Sequence, residues 1–166
     1  MRNTFAFASI AAAGASLLSL TSTLVYAQQS FDDTTCRAGT PTVIAKSDDM
    51  LLTSVDHRGI TRSNTGNKIF ENVTQHCIGT VFNIAGKRGG SGWCKSVNPS
   101  NGDVNLVEWI AGEKQGEGTF KFVYGTGKWK GISGGGTYES SGAARPVDEG
   151  TYQNCVRVKG TVTIPG

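Results

Sequence analysis

The chain has 166 residues, with 16 Lys and Arg against 13 Asp and Glu and a net charge of +3. Charges of both signs are scattered along it, without the basic stripe of a dedicated nucleic-acid binder or the acidic run of a solvating tail. One apolar run approaches the length of a membrane span, and it lies at the start.

That run extends from Phe5 to Val25, follows Arg2 and is rich in Ala, Ser and Leu. Val25 and Ala27 occupy the small-residue positions of a secretory cleavage site, so residues 1–27 read as a signal peptide cut after Ala27. A retained anchor fits less well, because the run carries Gly14 and several Ser and Thr and lacks a second positive flank. The remainder suits a single domain with its own core. Residues 28–39, beginning "QQSFDDTT", are expected to be a flexible segment, and residues 40–166 the folded domain. The predicted location is the periplasm or the extracellular space, with no membrane span after cleavage.

Cys36, Cys77, Cys94 and Cys155 all lie beyond the leader. An even cysteine count in an exported chain implies disulfides, and the CxxC spacing of a metal site is absent. Three pairings are possible. Cys77 with Cys94 flanks the turn "AGKRGG", and Cys36 with Cys155 ties the two ends together, so this pairing is expected. By loop-closure entropy the long-range bridge contributes about 4–5 kcal/mol.

In chain order, three segments alternate with a period of two. Ile78, Thr80, Phe82 and Ile84 form one row; Phe120, Phe122 and Tyr124 form a second; Val156, Val158, Val162 and Ile164 form a third. Such rows predict strands with one buried face. Turn signals ("SNTGN", "AGKRGG", "NPSNGD", "GEKQGEG") lie between them, and "SSGAARPVDEG" reads as a surface loop before the last strand. No segment carries a useful helical stripe. The 23 glycines, in excess of ordinary usage, fit turns and strand bends better than low complexity. The prediction is all-β, a sandwich or barrel.

The stretch "GTGKWKGISGGGTY" from Gly125 to Tyr138 is not a phosphate loop. Trp129 follows Gly127-Lys128 where a Ser or Thr is needed, and Gly131 comes one residue too late for GxGxxG. A structured corner fits instead: Gly125, Gly127 and Gly131 turn the chain, while Trp129 and Ile132, three apart, set one helical turn against the core.

The run "TFKFVYGTGKWKGISGGGTY", with "HCIGTVFNIAGKRGGSGWCKSVNPSNGDVNLVEWIAG" upstream, resembles the allene oxide cyclase and dirigent protein pattern, and most of all exported bacterial members with such a barrel. The resemblance spans about Asn72 to Glu139. It implies a single antiparallel barrel of about eight strands, lipocalin-like in outline and often homo-oligomeric, with an apolar cavity. Plant members cyclise an epoxide or steer radical coupling by holding the substrate in shape. Their catalytic carboxylates do not map onto Glu71, Asp103 or Glu108.

The candidate catalytic residues are therefore Glu108, His57, Tyr124 and Tyr138. Glu108 in "NLVEWI" is buried if Leu106 and Ile110 point inward, and solvated if Val107 and Trp109 do; the cost of burying a charge favours the second. His57 and His76 are expected at the surface. Tyr124 and Tyr138 either place hydroxyls near the cavity or pack as ordinary core. Asn72 heads an N-x-T acceptor pattern that matters only in a eukaryotic host. The expected cavity, about 300 Å³ or more, is lined by Phe120, Phe122 and Tyr124 on one wall and by Val156 and Val158 on another. The expected function is binding of a small apolar or amphiphilic ligand without cofactor or metal, extended to cyclase or isomerase chemistry if a polar group faces inward. The rival is a secreted interaction or inhibitor protein using the loops "GKRGG" and "EKQGEG".

Overall fold

The computed structural model describes residues 27–165; the leader assigned to residues 1–27 lies, but for Ala27, outside the described residues. Eight strands run β1 Gln28–Lys46, β2 Met50–Ser63, β3 Thr74–Ile84, β4 Lys87–Val97, β5 Val104–Ala111, β6 Gly118–Gly125, β7 Ser133–Ala144 and β8 Tyr152–Thr163. Each pairs antiparallel with the next, and β8 returns to β1, so the sheet closes into a barrel. The fold is all-β.

The seam between β1 and β8 runs from Gln28 opposite Thr163 to Gly39 opposite Tyr152. Residues 28–39 are therefore the first half of β1 and not a flexible segment. Phe31, Asp33 and Thr35 alternate into the barrel interior and are all buried. Cys36 and Cys155 face each other across this seam and are bonded, as are Cys77 and Cys94 across β3 and β4. The inner bridge is buried, whereas Cys36 is exposed on the outer wall.

One end of the barrel is sealed by Phe31, Phe70, Val73, Trp129, Ile132 and Val162. Phe70 stacks on Phe122 with centroids 5.3 Å apart and meets Phe31 edge-on at 5.0 Å, both separations favoured by aromatic pairs. Trp129 ends a single 3-10 turn, Gly127–Trp129, and is wholly buried. Gly125 must lack a Cβ, which would collide with the Trp129 carbonyl. Gly127 takes positive φ beside the Asp103 carboxylate, which accepts from the Lys128 amide at 2.9 Å.

The row Ile78, Phe82 and Ile84 faces outward, contrary to the buried face that its alternation predicted; Ile78 is 53% exposed. The interior takes the other face of β3, because the Trp109 ring lies against Gly79 and Gly92, where any Cβ would strike it. Cys77 and Cys94 pack in the same cluster. A large ring on β5 is thus accommodated by two glycines on β3 and β4.

Trp129→Ala is expected to cost about 3–5 kcal/mol in chemical denaturation. A loss below half a kilocalorie would mean that the indole does not seal this end.

Candidate functional site

Inside the barrel, next to the sealed end, lies a cavity of about 100 Å³. Its apolar wall includes Phe120, Phe122, Val156 and Val158, together with Val107 and Trp109. Tyr124 is not part of it and is 55% exposed. The reason is a bulge: Leu106 pairs with Tyr124 but Val107 with Phe122, so Val123 has no opposite number and the inward row shifts from Phe122 to Gly125. The cavity is smaller than the volume expected from sequence because the aromatic rings cluster inside it; Phe120 and Phe122 stand 5.7 Å apart.

The remaining lining is polar. Asp33, Thr35 and Arg37 come from β1, Thr61 from β2, Gln75 from β3, Ser96 from β4, Asn105 from β5 and Tyr138 from β7. Thr35 and Thr61 bond to each other at 2.9 Å. Asn105 is fully buried, and its side-chain amide finds no partner among the described residues. A buried amide without partners stands ready for a ligand's polar group.

Asp33 is 2% exposed. Burial pushes its carboxyl up to about 6, helped by the charges of Asp32 and Glu71 and opposed by a hydrogen bond from Ser63. Its neighbour Asp32 points the other way and accepts from Arg157 Nε at 2.9 Å, which holds it far below the ordinary range. Adjacent carboxylates on one strand thus differ because alternation sends one inside and one outside.

His57, expected at the surface, is buried, since it shares the inward face of β2 with Thr53 and Thr61. Burial, with the Arg37 charge, pushes its pKa down to about 3. Arg37 NH1 lies 3.3 Å from His57 Nε2, and Tyr152 Oη 2.7 Å from Nδ1. A guanidinium only donates, so Nε2 accepts and the neutral ring carries its hydrogen on Nδ1, donating it to Tyr152. The Tyr152 hydroxyl hydrogen is left free to donate elsewhere. His57 is thus a linker in a hydrogen-bonded chain and not a base poised near neutrality.

Glu108 faces outward, where Lys121 Nζ approaches it at 2.6 Å across β5 and β6. His76 is exposed and pairs with Asp56 at 2.8 Å. Tyr138 lines the cavity and donates its hydroxyl to the Ile110 carbonyl at 3.3 Å. His57, Cys77 and Cys94 place potential metal-binding atoms within 4.8 Å of one another, but both sulfurs are spent in the disulfide. The structure therefore brings Phe120, Phe122, Tyr138, Val156 and Val158 to one cavity, with His57 beside it, and leaves Glu108 and Tyr124 outside.

Sequence reasoning missed Asp33, Arg37 and Asn105. The available signal was the period of two in "FDDTTCRAG", hidden because its inward positions, Phe31 apart, are polar.

No family model matches the chain, and no curated protein does. Among solved structures, the pterocarpan synthase dirigent protein PsPTS1 shares the barrel with a TM-score of 0.51 and 12% identity, over 84% of this chain and 97% of that one. The pterocarpan synthase dirigent protein GePTS1 aligns over 84% of this chain and 93% of its own, with 10% identity and a TM-score of 0.49. The fold is that of a dirigent-like barrel.

The two buried titrating groups have opposite effects on stability. Folded Asp33 keeps a proton that the unfolded chain releases, so its contribution declines as pH rises from about 4 to 6. His57 stays neutral when folded but charges when unfolded below about 6.5, so its contribution grows as pH rises from about 3 to 6.5. Between pH 4 and 6 the two slopes offset. Asp33→Asn should unmask a stability that rises with pH by up to about 1.4 kcal/mol per unit, and His57→Gln the opposite slope. Urea titrations at several pH values check this, and parallel profiles for both variants would refute it.

Proposed function

We propose that this protein is an exported, disulfide-stapled barrel that takes a small apolar or amphiphilic ligand into its interior and acts on it as a confinement cyclase or isomerase. The carrying observation is a protonatable carboxyl, Asp33, facing an otherwise largely aromatic and aliphatic cavity. A carboxyl with its pKa raised toward 6 can deliver a proton to an ether, epoxide or carbonyl oxygen and take one back from carbon. The ring walls supply shape, and enclosure keeps water from intercepting a reactive intermediate. Two disulfides and the leader-like first residues support export.

A second reading, an interaction protein, draws support from the outer wall and not from the loops. Ile78 and Trp93 are directly opposed on β3 and β4, each about half exposed. Concentration-dependent sedimentation that Trp93→Ser abolishes would favour it.

The test incubates disulfide-intact protein with a lipid and terpenoid extract and identifies retained molecules by mass spectrometry. Val107→Phe, which fills the cavity, should abolish retention while costing about 1–3 kcal/mol of stability. Asp33→Asn should retain the ligand but return it unchanged. Retention unaffected by Val107→Phe would move binding to the outside of the barrel, and conversion unaffected by Asp33→Asn would remove the acid role.

A further inference from the structure

Arg37 is a charge that the interior does not account for. It belongs to the inward face of β1 and lines the cavity. Its Nε donates to Asn154 Oδ1 at 3.0 Å, and one terminal nitrogen to His57 at 3.3 Å. Both partners are neutral. Arg37 enters none of the ion pairs among the described residues. The cavity's acid, Asp33, sits four positions along the strand, about 13 Å away from Cα to Cα at ordinary strand rise. Burial lowers the affinity of Arg37 for its proton, and the groups opposing this are the Tyr152 and Tyr138 phenols, not a carboxylate.

A guanidinium largely withdrawn from water without a counter-charge is costly, and most of its five N–H donors remain to be used. Its rigidity is also set in advance. Asn154 takes Nε–H and His57 takes NH1, while NH2 makes no hydrogen bond among the described residues. Tyr152, which accepts from His57 Nδ1, has its own hydroxyl hydrogen to offer. This is the donor array of an oxyanion receptor, in which planar bidentate pairing with a carboxylate is the favoured geometry.

We infer that Arg37 receives an acidic headgroup, so that the ligand is a small organic monocarboxylate whose apolar part lies against Val156, Phe120 and Trp109. This inference rests on the cavity-binding reading above and specifies the chemistry of its ligand. A cavity of about 100 Å³ is below the roughly 150 Å³ that houses benzene, so the apolar part is short, about three or four carbons. The carboxylate and Arg37 neutralise each other in a low-dielectric interior, where the pairing is least screened.

Calorimetric titration of the disulfide-intact protein with butanoate and with 1-butanol at pH 7.5 separates the two ideas. Butanoate should bind about 10- to 100-fold more tightly than butanol, as expected for charge-assisted bonds to a largely buried cation. Arg37→Gln should remove that advantage and leave butanol binding within about twofold, and Arg37→Lys should restore it in part. The comparison of acid with alcohol needs no substitution, so it holds even where Arg37→Gln does not fold. Equal binding of butanoate and butanol, both lost in Val107→Phe, would overturn the headgroup assignment while leaving the cavity reading intact. Binding of neither would overturn both.

Discussion

Closure of β1 onto β8 is the constraint on which the rest depends. Without that seam, the inward side chains of β1 would face water, and the sheet would present two long unpaired edges. The seam is held by the backbone ladder, the Cys36–Cys155 bridge, the Asp32–Arg157 ion pair on the outer side and side-chain hydrogen bonds such as Arg37 to Asn154. The bridge lies one residue from Arg37 and one from Val156, so it fixes the register at which polar and apolar lining meet.

Closure also decides the chemistry. An eight-stranded barrel has room for little beyond its own side chains, and here aromatic rings take one end of that room. What remains is a short space with unlike ends: Asp33 and Asn105 lie near the aromatic floor, and Arg37 with its His57–Tyr152 chain lies near the start of β8. Each group keeps the proton affinity that its own burial and neighbours impose, which lets one strand carry a raised carboxyl and an unneutralised cation together.

Three strands, β3, β6 and β8, were legible from alternation, and the barrel from the resemblance to the dirigent pattern, because apolar period and turn glycines are local signals. Two kinds of feature were not. Alternation has a phase as well as a period, and phase is set by partners distant in sequence: Trp109 claims the space over Gly79 and Gly92, so β3 turns Ile78 outward. The bulge at Val123 likewise moves Tyr124 outside, and nothing in "FKFVYG" announces it. Part of the candidate site, Asp33, Thr35 and Arg37, lies in a segment whose inward residues, Phe31 apart, are mostly charged or hydroxylic. Hydrophobic patterning reads such a segment as mobile, although backbone pairing on both sides makes it a central strand.

The up-and-down order has one more consequence. Gln28 and Thr163 are register partners, so the described chain forms nearly a closed loop whose ends meet beside the sealed aromatic floor. Neighbouring strands are always neighbours in sequence, and the seam differs from the other pairs mainly in lacking a connecting turn. The architecture is therefore indifferent to where its chain is cut. A circular permutant joined across Gln28 and Thr163 and opened at the Ala85–Gly86 turn would keep every ladder, with its new ends at the opposite rim.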